Sequence, residues 1–244
     1  MPKSESAPIV YRALVFVIRL IAPLLTRRRW RAQHHIPAHG GALVVANHIS
    51  NYDTLTLGDY LVASGRWPRF LGKADIWKVP GLGWLATQCR QIPVYRHTER
   101  AKDSLVHARA ALEAGDLVAI YPEGTITRDP EGWPMLARHG AARLALATGV
   151  PVIPVGQIGA DQVLGGRYLE FRKLFSPRRR DVVVEAGPPV DLSDIGITED
   201  PTPEQLADAT ARMMGAVTDL YAELRGEAVP ELVWDPWQTE YAAR

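Results

Sequence analysis

The sequence predicts an α/β fold, a single domain with a mainly parallel central sheet flanked by helices. Short apolar runs of the length of buried strands alternate along the chain with segments whose apolar residues recur at helical spacing. The chain has 244 residues, of which 47% are hydrophobic and 23% charged, which suffices for one large core and excludes a disordered protein. No internal repeat and no long linker divides it.

An N-terminal membrane-associating helical segment, residues 1–32, is predicted to precede the domain. Its apolar run, residues 8–25, is interrupted by Arg12 and Arg19, which share a helix face. Because a spanning helix needs about 20 predominantly apolar residues with few charges, we expect an amphipathic helix that lies in the membrane interface. The arginines of residues 27–31 would then contact lipid headgroups. The alternative is a helix packed on the protein's own core.

Residues 46–53 lead from the first predicted strand, residues 41–46, into a helix, and they contain two candidate catalytic residues, His48 and Asp53. Open α/β sheets bind their ligands at this carboxyl edge. A loop can return the Asp53 carboxylate to the imidazole, which fixes the tautomer and leaves the other ring nitrogen free to accept a proton. The spacing also fits a helix start in which Ser50 is the N-cap and Asp53 completes a capping box.

The remaining predicted elements follow the same alternation. Further strands are predicted at residues 69–72, 92–95, 117–121, 150–155 and 181–186. Helices are predicted at residues 53–64, 99–114, 137–148 and 202–226. The last helix has the clearest signals, because Pro203 and Glu204 open it and Gly226 ends it. Residues 76–85 are apolar and aromatic, and three interpretations of them are open. They form a core helix after a turn, or the wall of an acyl-chain pocket, or a second membrane contact.

The main domain is predicted to span residues 33–228, followed by a tail at residues 229–244. The net charge is only +1, but residues 1–50 are strongly basic and contain Glu5 as their single acid, which suits an anionic membrane surface. The lone Cys89 fits a reducing cytoplasm. We therefore expect a peripheral or monotopic protein on the cytoplasmic face of the cell membrane, with no bound metal and no nucleic-acid partner.

Four polar residues share one position, directly after or at the end of a short apolar strand. They are His48, Lys73, Arg96 and Glu123. If the sheet is mainly parallel, these strand ends converge on one edge. A base, a carboxylate and two cations at one edge suit a phosphorylated alcohol as substrate. Together with Asp53 they supply the base, its orienting group and the anion clamp that an acyl transfer needs.

These residues belong to a series of ordered motifs between residues 41 and 156. The motifs are Asn47-His48-x-Ser50-x-x-Asp53, Lys73 with Pro80-Gly81-x-Gly83, Ile92-Pro93-Val94-x-Arg96, Tyr121-Pro122-Glu123-Gly124-Thr125 and Val152-Ile153-Pro154-Val155. In this order they resemble the four sequence blocks of the glycerolipid acyltransferases. The chain is most similar to PlsC-type 1-acylglycerol-3-phosphate acyltransferases, and residues 33–228 are identified with their acyltransferase domain.

The resemblance implies a His/Asp mechanism in phospholipid biosynthesis that has no covalent enzyme intermediate. His48 would deprotonate the free hydroxyl of a lysophospholipid acceptor, lysophosphatidic acid, and Asp53 would orient His48 and stabilise its charged form. The hydroxyl oxygen would attack the thioester of acyl-CoA or acyl-carrier protein, which is a co-substrate. No cofactor is implied.

The resemblance also implies the substrate contacts. Lys73 and Arg96 would hold the acceptor phosphate, since a guanidinium binds phosphate through two parallel hydrogen bonds. Further acceptor contacts are implied for Glu123, Gly124, Thr125 and Arg128. Backbone N–H groups near Gly124 would stabilise the oxyanion. Asn47 and Ser50 would cap the helix or contact the substrate.

Two departures from the family pattern leave other functions open. Ile126 and Thr127 stand between Glu-Gly-Thr and Arg128, and Arg90-Gln91 precede Ile92 where a glycine is common. Glycerol 3-phosphate, a lysophospholipid and a glycolipid are therefore alternative acceptors. A thioester or ester hydrolase is a further alternative, although no Gly-x-Ser-x-Gly motif is present. A non-catalytic membrane-surface protein is the last.

Overall fold

The structure, a computed structural model, describes residues 5–95, 101–176 and 178–243, without the side chains of residues 101–104. The strands are β1 (Thr26–Arg31), β2 (Ala42–Ala46), β3 (Pro68–Lys73), β4 (Ile92–Val94), β5 (Leu117–Ile120), β6 (Val152–Ile158), β7 (Arg180–Ala186), β8 (Leu232–Asp235) and β9 (Glu240–Ala243). The helices are α1 (Ile9–Leu25), α2 (Asp53–Ala63), α3 (Leu82–Gln88), α4 (Ala101–Glu113), α5 (Gly140–Thr148), α6 (Asp161–Leu164) and α7 (Pro203–Arg225). Short 3-10 turns occupy Gln33–His35, Ala74–Lys78 and Phe171–Phe175.

Among the described residues, seven strands form the central sheet in the order β1-β7-β6-β2-β5-β3-β4. Five of them, β6, β2, β5, β3 and β4, run parallel to one another. β7 runs antiparallel to β6, and β1 runs parallel to β7. At the centre, Val44 of β2 lies between Ala119 of β5 and Ile153 of β6. The predicted α/β fold with a mainly parallel sheet is confirmed.

Both faces of the sheet are covered, which explains the continuous apolar sequence of β2. Leu43 and Val45 point to one face and pack with Leu112 of α4, Leu146 of α5 and Met213 of α7. Val44 points to the other face. It packs there with Leu57, Tyr60 and Leu61 of α2.

Helix α7 is bounded as the sequence predicts. The Thr202 hydroxyl accepts the Gln205 N–H, and the Gln205 side chain accepts the Thr202 N–H, which together form a capping box. Gly226 ends the helix in the left-handed conformation, with φ of 69°. The tail that follows forms the β8–β9 hairpin. The Leu136 N–H donates to the Trp234 carbonyl at 3.0 Å, so the hairpin lies beside the loop after β5.

The basic run at residues 26–31 forms the edge strand β1, which the sequence analysis did not predict. Three of its arginines are in ion pairs, Arg28 with Asp59, Arg29 with Asp181 and Arg31 with Glu185. These acids belong to α2 and β7, far away in the sequence. The sheet therefore begins inside the segment that the sequence assigns to membrane contact, and the predicted boundary at residue 32 does not separate the two.

Helix α1 packs on the domain through one face only. The Tyr11 hydroxyl donates to the Pro68 carbonyl at 2.8 Å, and Arg19 Nε lies 2.6 Å from an oxygen of Asp59. The opposite face is apolar and exposed, with exposed fractions of 62% for Phe16, 66% for Leu20 and 74% for Leu24. None of the helices in the described part of the chain has the length and apolarity that crossing a bilayer requires.

The carboxyl ends of the parallel strands define one functional edge of the sheet. The loops after β2, β3, β5 and β6 leave the sheet there, and the residues before the antiparallel β7 reach the same edge. After β3, the stretch at residues 76–85 forms part of a 3-10 turn and the start of α3. Leu82 and Trp84 are about half exposed, so this stretch is not a core helix.

We predict that Asp59→Ala weakens the attachment of α1 and β1 to the domain. The variant leaves Arg19 and Arg28, both mostly buried, without their shared carboxylate, and we expect the free energy of unfolding to fall by about 2–3 kcal/mol. The measurement is urea unfolding of the full chain. Asp75→Ala, which removes an exposed acid between two lysines, is the control and should cost less than about 0.5 kcal/mol. Equal losses in the two variants would contradict this prediction.

Candidate active site

His48 and Asp53 are in direct contact at the functional edge. Asp53 is the first residue of α2 and is fully buried, and its Oδ2 lies 2.9 Å from Nδ1 of His48. The same oxygen accepts the N–H groups of Ile49 at 2.6 Å and Ser50 at 2.7 Å. Burial raises the pKa of Asp53, and the hydrogen bond from His48 opposes that shift. This contact uses Nδ1, so Nε2 is the ring nitrogen that remains for another partner. The His48 side chain is 16% exposed.

The capping box that the spacing allowed is not formed. Helix α2 has Tyr52 at its N-cap position and no side-chain cap, because Asp53 turns back to the loop instead. The Ser50 hydroxyl is fully buried, accepts the Tyr52 N–H at 3.1 Å and lies 2.6 Å from the Gly165 carbonyl oxygen. Ser50 therefore ties the loop after β2 to the loop after β6.

Asn47 is held in a buried polar network with Gln157, a residue that the sequence analysis did not identify. The Asn47 amide donates to the Gln157 carbonyl at 3.0 Å and accepts the Gln157 N–H at 2.9 Å. The Gln157 side chain in turn donates to the Asn47 carbonyl at 2.9 Å. These bonds fix the end of β2 against the end of β6. Their partners are 110 residues apart, so no local sequence signal points to Gln157.

Tyr121 stacks on the His48 ring, with centroids 4.1 Å apart and an interplanar angle of 12°. It directly follows β5, the strand next to β2. Burial raises the pKa of the Tyr121 hydroxyl, so this ring is neutral. The imidazole is thus confined by Asp53 at one nitrogen and by Tyr121 across its face. Tyr121 belongs to one of the sequence motifs, but the motif does not predict this contact.

Glu123 supports the His48 backbone from a buried position. Its Oε1 accepts the His48 N–H at 3.0 Å, and its Oε2 accepts the Met135 N–H at 3.0 Å. Thr127 completes the contact by donating its N–H to the His48 carbonyl at 2.8 Å. Burial raises the pKa of Glu123 to about 8, against the effect of the two N–H donors. Both oxygens of the Glu123 carboxyl group are already engaged by backbone N–H groups.

The neighbouring motif residues occupy different surroundings. Gly124 has φ of 72°, and its N–H donates to the Tyr121 carbonyl at 2.9 Å, so this amide is not directed at an oxyanion. Thr125 is half-buried. Arg128 is exposed, and its Nη1 lies 3.4 Å from the Pro236 carbonyl oxygen, so it contacts the C-terminal hairpin region.

Of the two predicted phosphate-binding cations, the structure describes only Lys73. Lys73 ends β3 at the functional edge, two strands from His48, or about 10 Å across the sheet. Its side chain is 59% exposed and lies 2.8 Å from Asp75. The ion pairs with Lys73 and Lys78 lower the pKa of Asp75 to about 2. Arg96 lies outside the described residues.

A second group of cations at the same edge was missed by the sequence analysis. A groove of about 880 Å³ next to the end of β6 and the start of β7 is lined by Arg167, Arg178, Arg179, Arg180 and Arg225. We call it the arginine groove. Within the described residues, no group of three His, Cys, Asp or Glu side chains is arranged to hold a metal ion.

Comparisons with known proteins agree with this geometry. The family model described as Acyltransferase matches residues 27–157, from β1 into β6. A 1-acyl-sn-glycerol-3-phosphate acyltransferase of Salmonella typhimurium is 27% identical over 76% of this chain and 71% of its own length. A chloroplastic 1-acyl-sn-glycerol-3-phosphate acyltransferase of Brassica napus is 31% identical over 49% of this chain. The match spans only 33% of that plant relative.

Among solved structures, the 1-acyl-sn-glycerophosphate (LPA) acyltransferase PlsC from Thermotoga maritima has the same fold. The TM-score is 0.62, with 21% sequence identity over 90% of this chain and 83% of PlsC. The family model covers more than half of the chain, and its range contains His48, Asp53 and Glu123. The sequence motifs, the paired His48 and Asp53 and the family match thus agree, and the chain belongs to the acyltransferase family.

Proposed function

We propose that this protein moves an acyl chain from a thioester donor, acyl-CoA or acyl-carrier protein, to the free hydroxyl of 1-acylglycerol 3-phosphate. The main support is the contact between His48 and Asp53 at the carboxyl edge of the sheet, in a chain of the acyltransferase family. The acceptor is proposed from the names of relatives that match 76% of this chain. The product would be phosphatidic acid.

In this mechanism His48 is the general base. Nδ1 carries a proton and donates it in the hydrogen bond to Asp53, so Nε2 takes the proton from the acceptor hydroxyl. The hydroxyl oxygen attacks the thioester carbonyl carbon, and a tetrahedral oxyanion forms. The C–S bond then breaks, and the thiolate takes the proton from the His48 imidazolium. The buried Asp53 carboxylate stabilises that imidazolium while it exists.

Glu123 and Tyr121 are positioning residues in this proposal. The stacked Tyr121 ring restricts rotation of the imidazole and offers its face to the positive charge that forms on His48. Glu123 and Thr127 hold the His48 backbone at its N–H and its carbonyl. Pre-organisation of this kind keeps the base within reach of the hydroxyl before the reaction begins.

Lys73 and Arg96 are proposed to bind the acceptor phosphate, with Gly124, Thr125 and Arg128 near the acceptor. The support for Lys73 is its location at the same edge as His48.

A second candidate function is acyl transfer to another phosphorylated or glycosylated acceptor. It is favoured by the surroundings of the residues after Glu-Gly-Thr. Ile126 follows Glu-Gly-Thr where the family places an arginine, and Arg128 contacts the Pro236 carbonyl.

The protein is proposed to work on the cytoplasmic face of the membrane, held there by α1. The exposed residues of α1 between Ala13 and Leu24 are apolar, which suits a helix that lies in the interface. Arg28, expected at the headgroups, is paired with Asp59 instead, and so is Arg19. Arg27 and Arg29 are exposed next to the helix, where they can meet anionic headgroups.

We predict that His48→Ala and Asp53→Asn each lower kcat by at least about a hundredfold. Loss of a positioned base has this effect on proton transfer, and Asp53→Asn removes the acceptor that fixes the tautomer. The measurement is acyl transfer from acyl-CoA to 1-acylglycerol 3-phosphate. His107→Ala, an exposed histidine on α4, is the control and should keep full activity. Turnover that survives either active-site change would remove the mechanism.

We predict that Glu123→Gln changes how stability depends on pH. Folded Glu123 keeps its proton to about pH 8, whereas the unfolded side chain loses it near its ordinary pKa of 4.5. The free energy of unfolding of the wild type should therefore fall as pH rises through this window, by at most about 1.4 kcal/mol per pH unit from this group. The variant lacks this contribution. The amount by which its free energy of unfolding falls below that of the wild type should therefore shrink with rising pH.

Urea unfolding at several pH values between 4.5 and 8 measures this difference. Glu231→Gln, at an exposed position, is the matched control and should follow the wild type at every pH. A deficit of Glu123→Gln that stays constant or grows with pH contradicts the prediction.

We predict that replacing Phe16 and Leu20 together by Ser weakens binding to phosphatidylglycerol vesicles by at least about tenfold, because less apolar surface enters the interface. Vesicle co-sedimentation measures the affinity. Activity on a short-chain, water-soluble acceptor should be kept. Val106→Ser, an exposed apolar residue on α4, is the control. Undiminished vesicle binding by the double variant would show that α1 is not the membrane contact.

A further inference from the structure

The arginine groove opens directly beside the catalytic base. Ile49, the residue after His48, lines it, and so does Thr127, which donates its N–H to the His48 carbonyl. The other side of the groove is formed by residues of the loop after β6 and of the segment that leads into β7. A ligand in this groove would therefore lie beside the loop that carries His48.

The topology explains why cations from distant segments meet here. Because β7 is antiparallel to β6, residues 178–180 arrive at the edge where β2 and β6 end. Gly159, just after β6, makes the close approach possible, since it has φ of 87° and a Cβ there would lie 2.0 Å from the Asp181 carbonyl oxygen. Arg225 reaches the groove from the end of α7.

The arginines of the groove differ in how they are held. Arg225 donates to the Glu131 carbonyl at 2.8 Å, forms an ion pair with Glu227 at 2.7 Å and lies 4.6 Å from the centre of the Trp133 ring. Arg179 donates to the Pro23 carbonyl at 3.3 Å, and Arg180 to the Gln162 carbonyl at 3.3 Å. Each of these contacts leaves guanidinium N–H groups for a ligand.

Arg167 and Arg178 are exposed and are less constrained. In the part of the chain that the structure describes, neither guanidinium forms an ion pair or donates a hydrogen bond; Arg167 lies over the Tyr168 ring at 5.9 Å. These two side chains are therefore the most available cations in the groove.

Acidic groups also line the groove, but they do not cancel its positive charge. Five arginines and four acids line it, the acids being Asp129, Glu131, Asp161 and Asp181, and Glu227 is paired with Arg225 from outside the lining. Asp129 accepts the N–H groups of Glu131 and Trp133. Asp181 lies 3.6 Å from Arg29, which does not line the groove. With Arg225 paired to Glu227 and Asp181 paired to Arg29, four arginines face three acids, so the groove keeps a positive charge.

We propose that the arginine groove binds the phosphate groups of a nucleotide-carrying acyl donor, so that the donor is a thioester of the coenzyme A type. This inference rests on the proposed function and names its donor. The volume lies in the range of pockets that bury a drug-sized or cofactor ligand. Arginine is the side chain best suited to phosphate, because its planar fork donates two parallel hydrogen bonds.

The location relative to His48 separates the two substrates. β2 lies between β6 and β7 on one side and β3 and β4 on the other. Lys73, at the end of β3, is proposed for the single phosphate of the acceptor. The arginine groove occupies the opposite side and offers several cations, which suits a donor with several phosphates. Each substrate then brings its reacting group to His48 from its own side.

The test is the double variant Arg167→Gln/Arg178→Gln in the full chain. Isothermal titration with coenzyme A should show a Kd raised by about tenfold or more, as expected for the loss of charge-assisted hydrogen bonds. The KM for acyl-CoA should rise in parallel, and the KM for the acceptor should stay unchanged. Raising the salt concentration should weaken coenzyme A binding to the wild type more than to the variant.

Arg172→Gln is the matched control, since Arg172 is exposed in the same region but does not line the groove. It should bind coenzyme A like the wild type, and unfolding midpoints verify that all variants fold. Unchanged coenzyme A binding by the double variant overturns the proposal. So does a rise confined to the acceptor KM, or a loss of binding to phosphatidylglycerol vesicles with coenzyme A affinity intact.

Failure of the proposed function gives a different result. Wild-type protein that binds coenzyme A through these arginines but transfers no acyl chain to any acceptor would refute acyl transfer and leave the nucleotide site in place. Conversely, wild-type protein that transfers acyl chains from acyl-carrier protein but does not bind coenzyme A would refute the donor and leave acyl transfer in place.

Discussion

One oxygen of Asp53 accepts three hydrogen bonds, from the His48 ring and from the N–H groups of Ile49 and Ser50. A carboxylate that is fully removed from water is costly unless such donors surround it. These donors come from the residues that connect β2 to α2, so the same contacts that stabilise the anion also shape the loop. The shape of that loop in turn decides where the imidazole lies. The location of the imidazole and the conformation of its loop are therefore determined together.

Helix α2 links this pair to the periphery of the molecule. Its first residue is Asp53, and six residues later, about 9 Å along the axis, Asp59 holds both Arg19 of α1 and Arg28 of β1. The N-terminal helix and the edge strand are thus attached to the element that begins with Asp53. These contacts make the N-terminal segment part of the domain. Its outward face remains available for a membrane.

Much of the architecture follows from local sequence pattern. The strands with continuous apolar sequence, the capped helix α7 and the approach of Asp53 to His48 were all predictable from nearby residues. The strand β1 was not, because its sequence Thr-Arg-Arg-Arg-Trp-Arg has no apolar alternation. It is stabilised by acids that are distant in the chain, such as Glu185 of β7. Pairing of this kind appears only when the fold brings the partners together.

The same distinction holds at the site. The motif identified Glu123 as important, but its two backbone donors, His48 and Met135, lie 75 residues before it and 12 residues after it, so its supporting contact could not be inferred. Gln157 and the arginine groove are also assembled from separate segments. Sequence motifs thus identify side chains with chemical function, whereas the contacts that position them depend on the tertiary fold.

The pairing of Arg19 with Asp59 has a consequence for how deeply α1 can enter a bilayer. A guanidinium on the outward face would have to shed its hydration or keep the helix near the aqueous boundary. Here that charge is neutralised inside the protein, and the outward residues from Ala13 to Leu24 bear no ionic group. No charge therefore opposes immersion of the stretch from Ala13 to Leu24, and the exposed Arg12 near the start of α1 marks the end of the helix that stays at the aqueous boundary.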